Sequence, residues 1–190
     1  MSTAERPGKT SSAEYLALER ASATKHQLWD GDVFAMAGAS VAHNRIVGNV
    51  VGLLHAALRG GPSAAYPSDL KVRAADDRYV YPDASIVCDP IERDGDHPDV
   101  VRNPRVVIEV LSPDTAAFDR GDKFDGYRSL PSLADYVLVA QDRAQVEHYH
   151  RESDGSWRLR VLRAGARLEL DAVSVVVPVD AIYEGALASA

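Results

Sequence analysis

Three residues of this sequence have the types and setting to handle a phosphoryl group: Asp83 in Tyr81-Pro82-Asp83, Glu109 inside the apolar run Arg105-Val-Val-Ile-Glu-Val-Leu111, and Lys123 in the stretch that follows. An ionised carboxylate taken out of water costs several kcal/mol or more unless it is paired, protonated or bound to a cation, so Glu109 demands a partner. Asp83 and Glu109 lie in two strands that can sit side by side, so their carboxylates can converge. Lys123 and Tyr127 stand at i and i+4 and share one face of the next helix, from which the lysine can reach back to the Glu109 strand. Two hard oxygen ligands and one ammonium suit phosphodiester hydrolysis with Mg²⁺ or Mn²⁺. The cation polarises the phosphoryl group and activates a water, and the lysine positions that water or offsets developing charge.

The same residues also admit plain structural readings. Asp83 is then a strand-end turn residue and Glu109 a buried partner of an arginine such as Arg73 or Arg105. Lys123 shares its helix with Asp119, Arg120, Asp122 and Asp125, which fits a solvated face. His43, in the first turn of a helix, either donates to a phosphate or orients a ligand, or it caps and packs. Asp32 carries the same pair of readings. His148 and His150 alternate on one strand face like a metal pair, but no third ligand is evident nearby and both read as surface residues. Cys88 has no adjacent basic group and reads as a buried small residue. Ser112-Pro113 lacks the glycines of a nucleophile elbow.

The elements that would position these groups follow from periodicity and caps. Residues 1–10 read as a frayed tail and 11–190 as a single domain, opening with a short helix capped by Ser11 or Ser12 and running to about Arg20. Asp30-Gly31 centres a hairpin over His26 to Ala37. From Val41 to Arg59, the apolar residues Ile46, Val47, Val50, Leu53, Leu54, Ala57 and Leu58 recur at helical steps behind Ser40, and Gly60-Gly61-Pro62 ends the helix. Strands are expected over Ala65 to Ala74 and Arg78 to Cys88, then a polar loop from Asp89 to Pro104. The run from Arg105 to Leu111 is too uniformly apolar for a surface strand and reads as a central one. One helix follows Ser112-Pro113-Asp114-Thr115 and stops at Pro131. Further strands are expected over Ala134 to Ala140, Val146 to Arg151, Trp157 to Arg163 and Val173 to Val177. This order predicts an α/β (α+β) fold, with a mixed central sheet flanked by helices and additional C-terminal strands.

With 190 residues, 46% of them hydrophobic, one core can form without staples, and the single cysteine excludes an internal disulfide and multi-cysteine zinc sites. The N-terminus lacks the apolar segment of a signal peptide, and no stretch approaches the roughly 18 apolar residues of a membrane span. The chain therefore reads as soluble and cytoplasmic. The formal net charge of −7 argues against an extended nucleic-acid-binding surface, although a cation site must itself gather carboxylates.

Tyr81-Pro82-Asp83, the segment Ile108-Glu109-Val110-Leu111-Ser112-Pro113-Asp114-Thr115, and Asp119 through Lys123 to Tyr127 together resemble the Uma family of restriction-endonuclease-like proteins, a branch of the PD-(D/E)xK nucleases. The likeness extends to Asp30-Gly31-Asp32 through Met36, to His43-Asn44 and to Ser68-Asp69-Leu70-Lys71-Val72, covering about Tyr15 to Ile182. It implies Asp83 and Glu109 as metal ligands, Lys123 as the catalytic lysine, a restriction-endonuclease-like core, Mg²⁺ or Mn²⁺ as cofactor and DNA as substrate. His43, Asp32 and Tyr127 are auxiliary candidates. The orthodox motif puts its lysine two residues after the acid, where Leu111 stands. The Uma version displaces it to the next helix, as Lys123 fits. Gln27 occupies a position where the family often has a glutamate. Related nucleases commonly pair subunits, and the short strands carrying Tyr149, Trp157, Leu159 and Val161 have edges to cover, so a homodimer is expected. The alternative from a different class is a catalytically silent member that keeps the fold as a binding or assembly module.

Overall fold

The computed structural model describes residues 8–95 and 97–187. Helix α1 (Ser12–Ala21) starts at a capping box in which the Ser11 hydroxyl accepts from the Glu14 N–H and the Glu14 carboxylate accepts from the Ser11 N–H. Strands β1 (His26–Trp29) and β2 (Asp32–Ala35) pair as a hairpin whose turn residues, Asp30 (φ 49°) and Gly31 (φ 84°), both sit in the left-handed region that this dipeptide tolerates. Lys9 and Thr10, which the sequence places in the tail, are tied to this hairpin: the Thr10 N–H donates to the Gly31 carbonyl. Helix α2 (Val41–Leu58) begins at Ser40, whose hydroxyl accepts from the His43 N–H, and Gly60 follows its end at φ 80°.

In the middle of the chain the structure is more finely divided than the apolar pattern predicts. The expected strand over 65–74 is two, β3 (Ser63–Pro67) and β4 (Lys71–Ala75), separated by a turn closed by the Leu70 N–H on the Pro67 carbonyl. The expected strand over 78–88 is also two, β5 (Arg78–Val80) and β6 (Ala84–Cys88). Pro82 has no N–H to give a ladder, so pairing stops there and Asp83 stands at the break rather than mid-strand. The segment expected as a loop holds β7 (Arg93–Asp94) and β8 (His97–Val101). After β9 (Pro104–Leu111), the expected single helix is α3 (Ala116–Arg120) and α4 (Asp122–Arg128), divided at Gly121. Then come β10 (Asp135–Ala140), β11 (Gln145–Arg151), β12 (Trp157–Arg163), β13 (Arg167–Leu170), a 3-10 turn, β14 (Val175–Pro178) and α5 (Val179–Ile182).

The central sheet has the order β12-β11-β10-β9-β6-β3; it is mixed, with β9 and β10 parallel and its other pairs antiparallel. Alternation along β9 divides the core. Val106, Ile108 and Val110 pack with Ile46, Val50 and Leu54 of α2 and with Leu168 and Val175 of the β13–β14 pair. Val107 and Leu111 share the other core with Phe124 and Tyr127 of α4 and with Val72 and Val80 of a second sheet. That second sheet, β2-β1-β5-β4-β8-β7, carries α1 through Tyr15 and Leu16 against Leu28, Tyr79 and Val100. Glu109 thus emerges from an almost wholly buried strand of the central sheet, on the face covered by α4.

Candidate active site

The antiparallel pairing of Ala84 with Ile108 sets Asp83, one residue before β6, at the level of Glu109. Asp83 is held on both oxygens. Oδ2 accepts the Val110 N–H at 2.7 Å and Oδ1 accepts His43 Nε2–H at 3.1 Å. His43 reaches it because the Ser40 cap fixes the first turn of α2.

Glu109 Oε1 accepts from Lys123 Nζ at 2.8 Å and from the Tyr127 hydroxyl at 3.0 Å. Lys123 Nζ also lies 3.3 Å from Asp119 Oδ1. Asp119, Lys123 and Tyr127, successive i, i+4 positions, keep a common face across the Gly121 break and turn it toward β9. Glu109, Asp119 and Lys123 are only 4%, 3% and 4% exposed, so this is a buried charge cluster and not a solvated helix face. Two carboxylates contact one ammonium, and Asp83 stands at the level of Glu109 on the neighbouring strand.

Burial, seconded by Asp119 and Asp83 and opposed by Lys123, pushes the Glu109 carboxyl up to about 8. Burial works against the Lys123 ammonium, but Glu109 and Asp119 outweigh it and hold its pKa above the ordinary lysine value. Tyr127 is kept neutral by burial and by Glu109, so it serves as a hydrogen-bond donor.

Of the residues singled out from the sequence, Asp83, Glu109, Lys123, Tyr127 and His43 come together. Asp32 does not join them; it is exposed on the hairpin and paired with Lys9 at 2.7 Å. The arginines considered as partners for Glu109 are engaged elsewhere, Arg73 with Asp94 and Asp76, Arg105 with the Ser132 carbonyl. Asp119 went unselected because Asp122 and Asp125 beside it look alike; its i, i+4 step to Lys123 was the available signal. The surface reading fails for His148, which is buried, while His150 is partly exposed. His148 is 3% exposed, and both rings donate to Asp135, which the pairing of β10 with β11 brings from outside their own strand. Cys88 is half-buried and accepts from the Ser63 hydroxyl, where full burial was expected.

The mixed α+β architecture matches the crystal structure of a putative nuclease belonging to DUF820 from Anabaena variabilis, with a TM-score of 0.72, 15% identity, and coverage of 87% of this chain and 93% of that one. At that identity the likeness establishes a shared fold. The chain belongs to the Uma2 family, described as putative restriction endonuclease, whose pattern matches residues 12–179. Similar sequences include the uncharacterized protein slr1290 of Synechocystis sp., 39% identical over 93% of both chains. A second Synechocystis protein, the uncharacterized sll1609, is 34% identical over 79% of this chain and 85% of its own length.

Proposed function

We propose that the chain is a cytoplasmic, divalent-metal-dependent endonuclease that hydrolyses DNA phosphodiester bonds at the cluster of Asp83, Glu109 and Lys123. The observation carrying this reading is the buried ammonium of Lys123 at 2.8 Å from Glu109 and 3.3 Å from Asp119, with Asp83 beside them. One positive charge in contact with two carboxylates, with a third at the level of Glu109, leaves an excess of negative charge. A hard cation fits this donor set, and Asp83 and Glu109 would hold Mg²⁺ or Mn²⁺. Such an ion supplies Lewis-acid polarisation of the phosphoryl oxygen and a more acidic water. The protein's own groups do the rest. His43 and the Val110 N–H orient Asp83; Tyr127 and Lys123 orient Glu109; the Lys123 ammonium offsets charge developing on the phosphoryl oxygens.

Incubating the purified protein with plasmid and single-stranded DNA across divalent metals tests this. Metal-dependent cleavage should fall by at least ~100-fold in Asp83→Ala and in Glu109→Ala, the loss expected when electrostatic stabilisation of the transition state is removed. No cleavage by the wild type, or cleavage unchanged in both variants, overturns the assignment.

A second reading, the catalytically silent module, is favoured by the net charge of −7 and by Gln27. Titration calorimetry separates them, because stoichiometric Mg²⁺ or Mn²⁺ binding lost in Glu109→Ala supports the enzyme, whereas none at millimolar metal supports the module. The nuclease reading also carries a homodimer. Strand β12 ends the central sheet with Leu159 and Val161 exposed, an edge suited to a second copy. Sedimentation at micromolar concentration showing only the 20.5 kDa monomer would remove that part.

A further inference from the structure

We infer that Asp135, His148 and His150 form a second cation site, independent of the carboxylate cluster, that takes a borderline transition metal of the Zn²⁺ class. Asp135 opens β10 opposite His150, and His148 lies two residues back on β11, so all three project from one face of the sheet. Their nearest donor atoms lie within 4.8 Å of one another. This is the other face from Glu109. Asp135 alternates with Val137 and Val139 of the α2-side core, whereas Glu109 pairs with Leu138 of the α4-side core.

Charge is the first argument. Asp135 is 0% exposed, and among the described residues its only charge partners are the two imidazoles, with no lysine or arginine in reach. A buried carboxylate requires a compensating positive charge. Both His148 Nε2 and His150 Nδ1 crowd onto the single oxygen Oδ1, each at 2.7 Å, while Oδ2 is buried with no hydrogen-bond partner. Two donors on one oxygen and none on the other is an uneven use of an enclosed carboxylate. A cation between the three groups displaces the two shared protons and gives the carboxylate a full counter-charge.

Donor chemistry then selects the ion. Two imidazole nitrogens and one carboxylate oxygen are a Zn²⁺ donor set, with bonds of about 2.0–2.2 Å and tetrahedral geometry. They are a poor set for Mg²⁺, which prefers oxygen and keeps its water. Tetrahedral bonds of that length set neighbouring donors about 3.4 Å apart, so opening each 2.7 Å His–Asp135 contact by about 0.7 Å accommodates the ion. His150 is partly exposed, which leaves an entry path and room for water as fourth ligand. The metal would fasten β10 to β11 at the end of the sheet away from Glu109.

The test uses the full chain stripped with a chelator and titrated with ZnCl₂ by calorimetry, with Co²⁺ absorption as a spectral probe of coordination. The expected result is one tightly bound Zn²⁺ per chain, distinct from any weaker binding at the carboxylate cluster, and a tetrahedral Co²⁺ spectrum. Affinity should fall by at least about 100-fold in His150→Ala and Asp135→Asn, since losing even an outer-shell partner costs ~10–100-fold. His150→Gln serves if the alanine variant does not fold. Glu109→Gln should leave this tight Zn²⁺ in place. Absence of Zn²⁺ binding overturns the site, as does binding lost in Glu109→Gln and retained in the His150 variants.

Discussion

Lys123 is the residue whose removal separates charge compensation from ordinary packing. Its ammonium is enclosed with Glu109 and Asp119, so Lys123→Ala leaves two buried carboxylates without their nearest counter-ion. Breaking a buried pair from one side costs about 3–5 kcal/mol, and the metal-free variant should unfold at correspondingly lower urea. A divalent cation can replace the missing charge, so added Mg²⁺ should stabilise the variant more than the wild type, while DNA cleavage falls by ~10²–10³. Equal Mg²⁺-induced stabilisation of the two proteins would remove the shared-cluster argument. The sequence offered these groups for a physical reason: a glutamate in a valine-rich strand is anomalous, and a lysine and tyrosine one helical turn apart can both answer it. Asp119 was not legible because two neighbouring aspartates are its equals in type, and only the fold distinguishes a buried acid from exposed ones.

At the scale of elements, the site depends on how α4 is set against the β1–β2 hairpin. Gly126 stands where α4 crosses Trp29, and a Cβ there would meet the indole ring at 2.6 Å and the Arg78 side chain at 3.5 Å. Trp29 is buried, with the Arg78 guanidinium over its ring and Phe118 edge-on at 5.0 Å, so it has little room to yield. Gly126→Ala should therefore cost ~1–3 kcal/mol, the range for overpacking a filled core, despite alanine's better helix propensity. Because α4 also carries Lys123 and Tyr127, cleavage should fall with stability; an alanine variant as stable and as active as the wild type would show that the helix position is not constrained here. The hairpin and α2 were legible because Asp30-Gly31 and the Ser40 cap are local signals. The break at Gly121 and the strands β7 and β8 were not: a glycine inside a helical pattern is tolerated, and the Asp, His and Pro content of 89–104 argues for loop until partners across the sheet supply the hydrogen bonds.

For the whole molecule, the second sheet is what the linear pattern could not convey, since β8 pairs in parallel with β4, which is distant in sequence, and β7 closes the edge as the outer strand of a hairpin with β8. One buried acid ties that edge to the rest. Asp94 of β7 accepts from Arg73 Nη1 at 2.6 Å on one oxygen and from the Tyr79 hydroxyl at 2.8 Å on the other. Burial alone would raise its pKa, but the Tyr79 and Arg73 hydrogen bonds prevail and hold it below the ordinary aspartate value. The sign of the stability linkage follows. A folded-state pKa below the unfolded one means that the unfolded chain binds the proton more readily, so the contribution is complete above the unfolded value near ~4 and vanishes as pH falls through the native pKa. Below the isoelectric point of about 5.3 the net charge also turns positive and self-repulsion grows, which weakens any variant alike. Asp94→Asn isolates the specific part. In urea titrations the wild type should exceed it by ~2 kcal/mol at pH 7, the scale of hydrogen bonds to a charged group, and the gap should close as the medium is brought below pH ~4. A gap that stays constant across the acid range would mean that Asp94 acts through shape alone, and that the edge of the second sheet is not held by its charge.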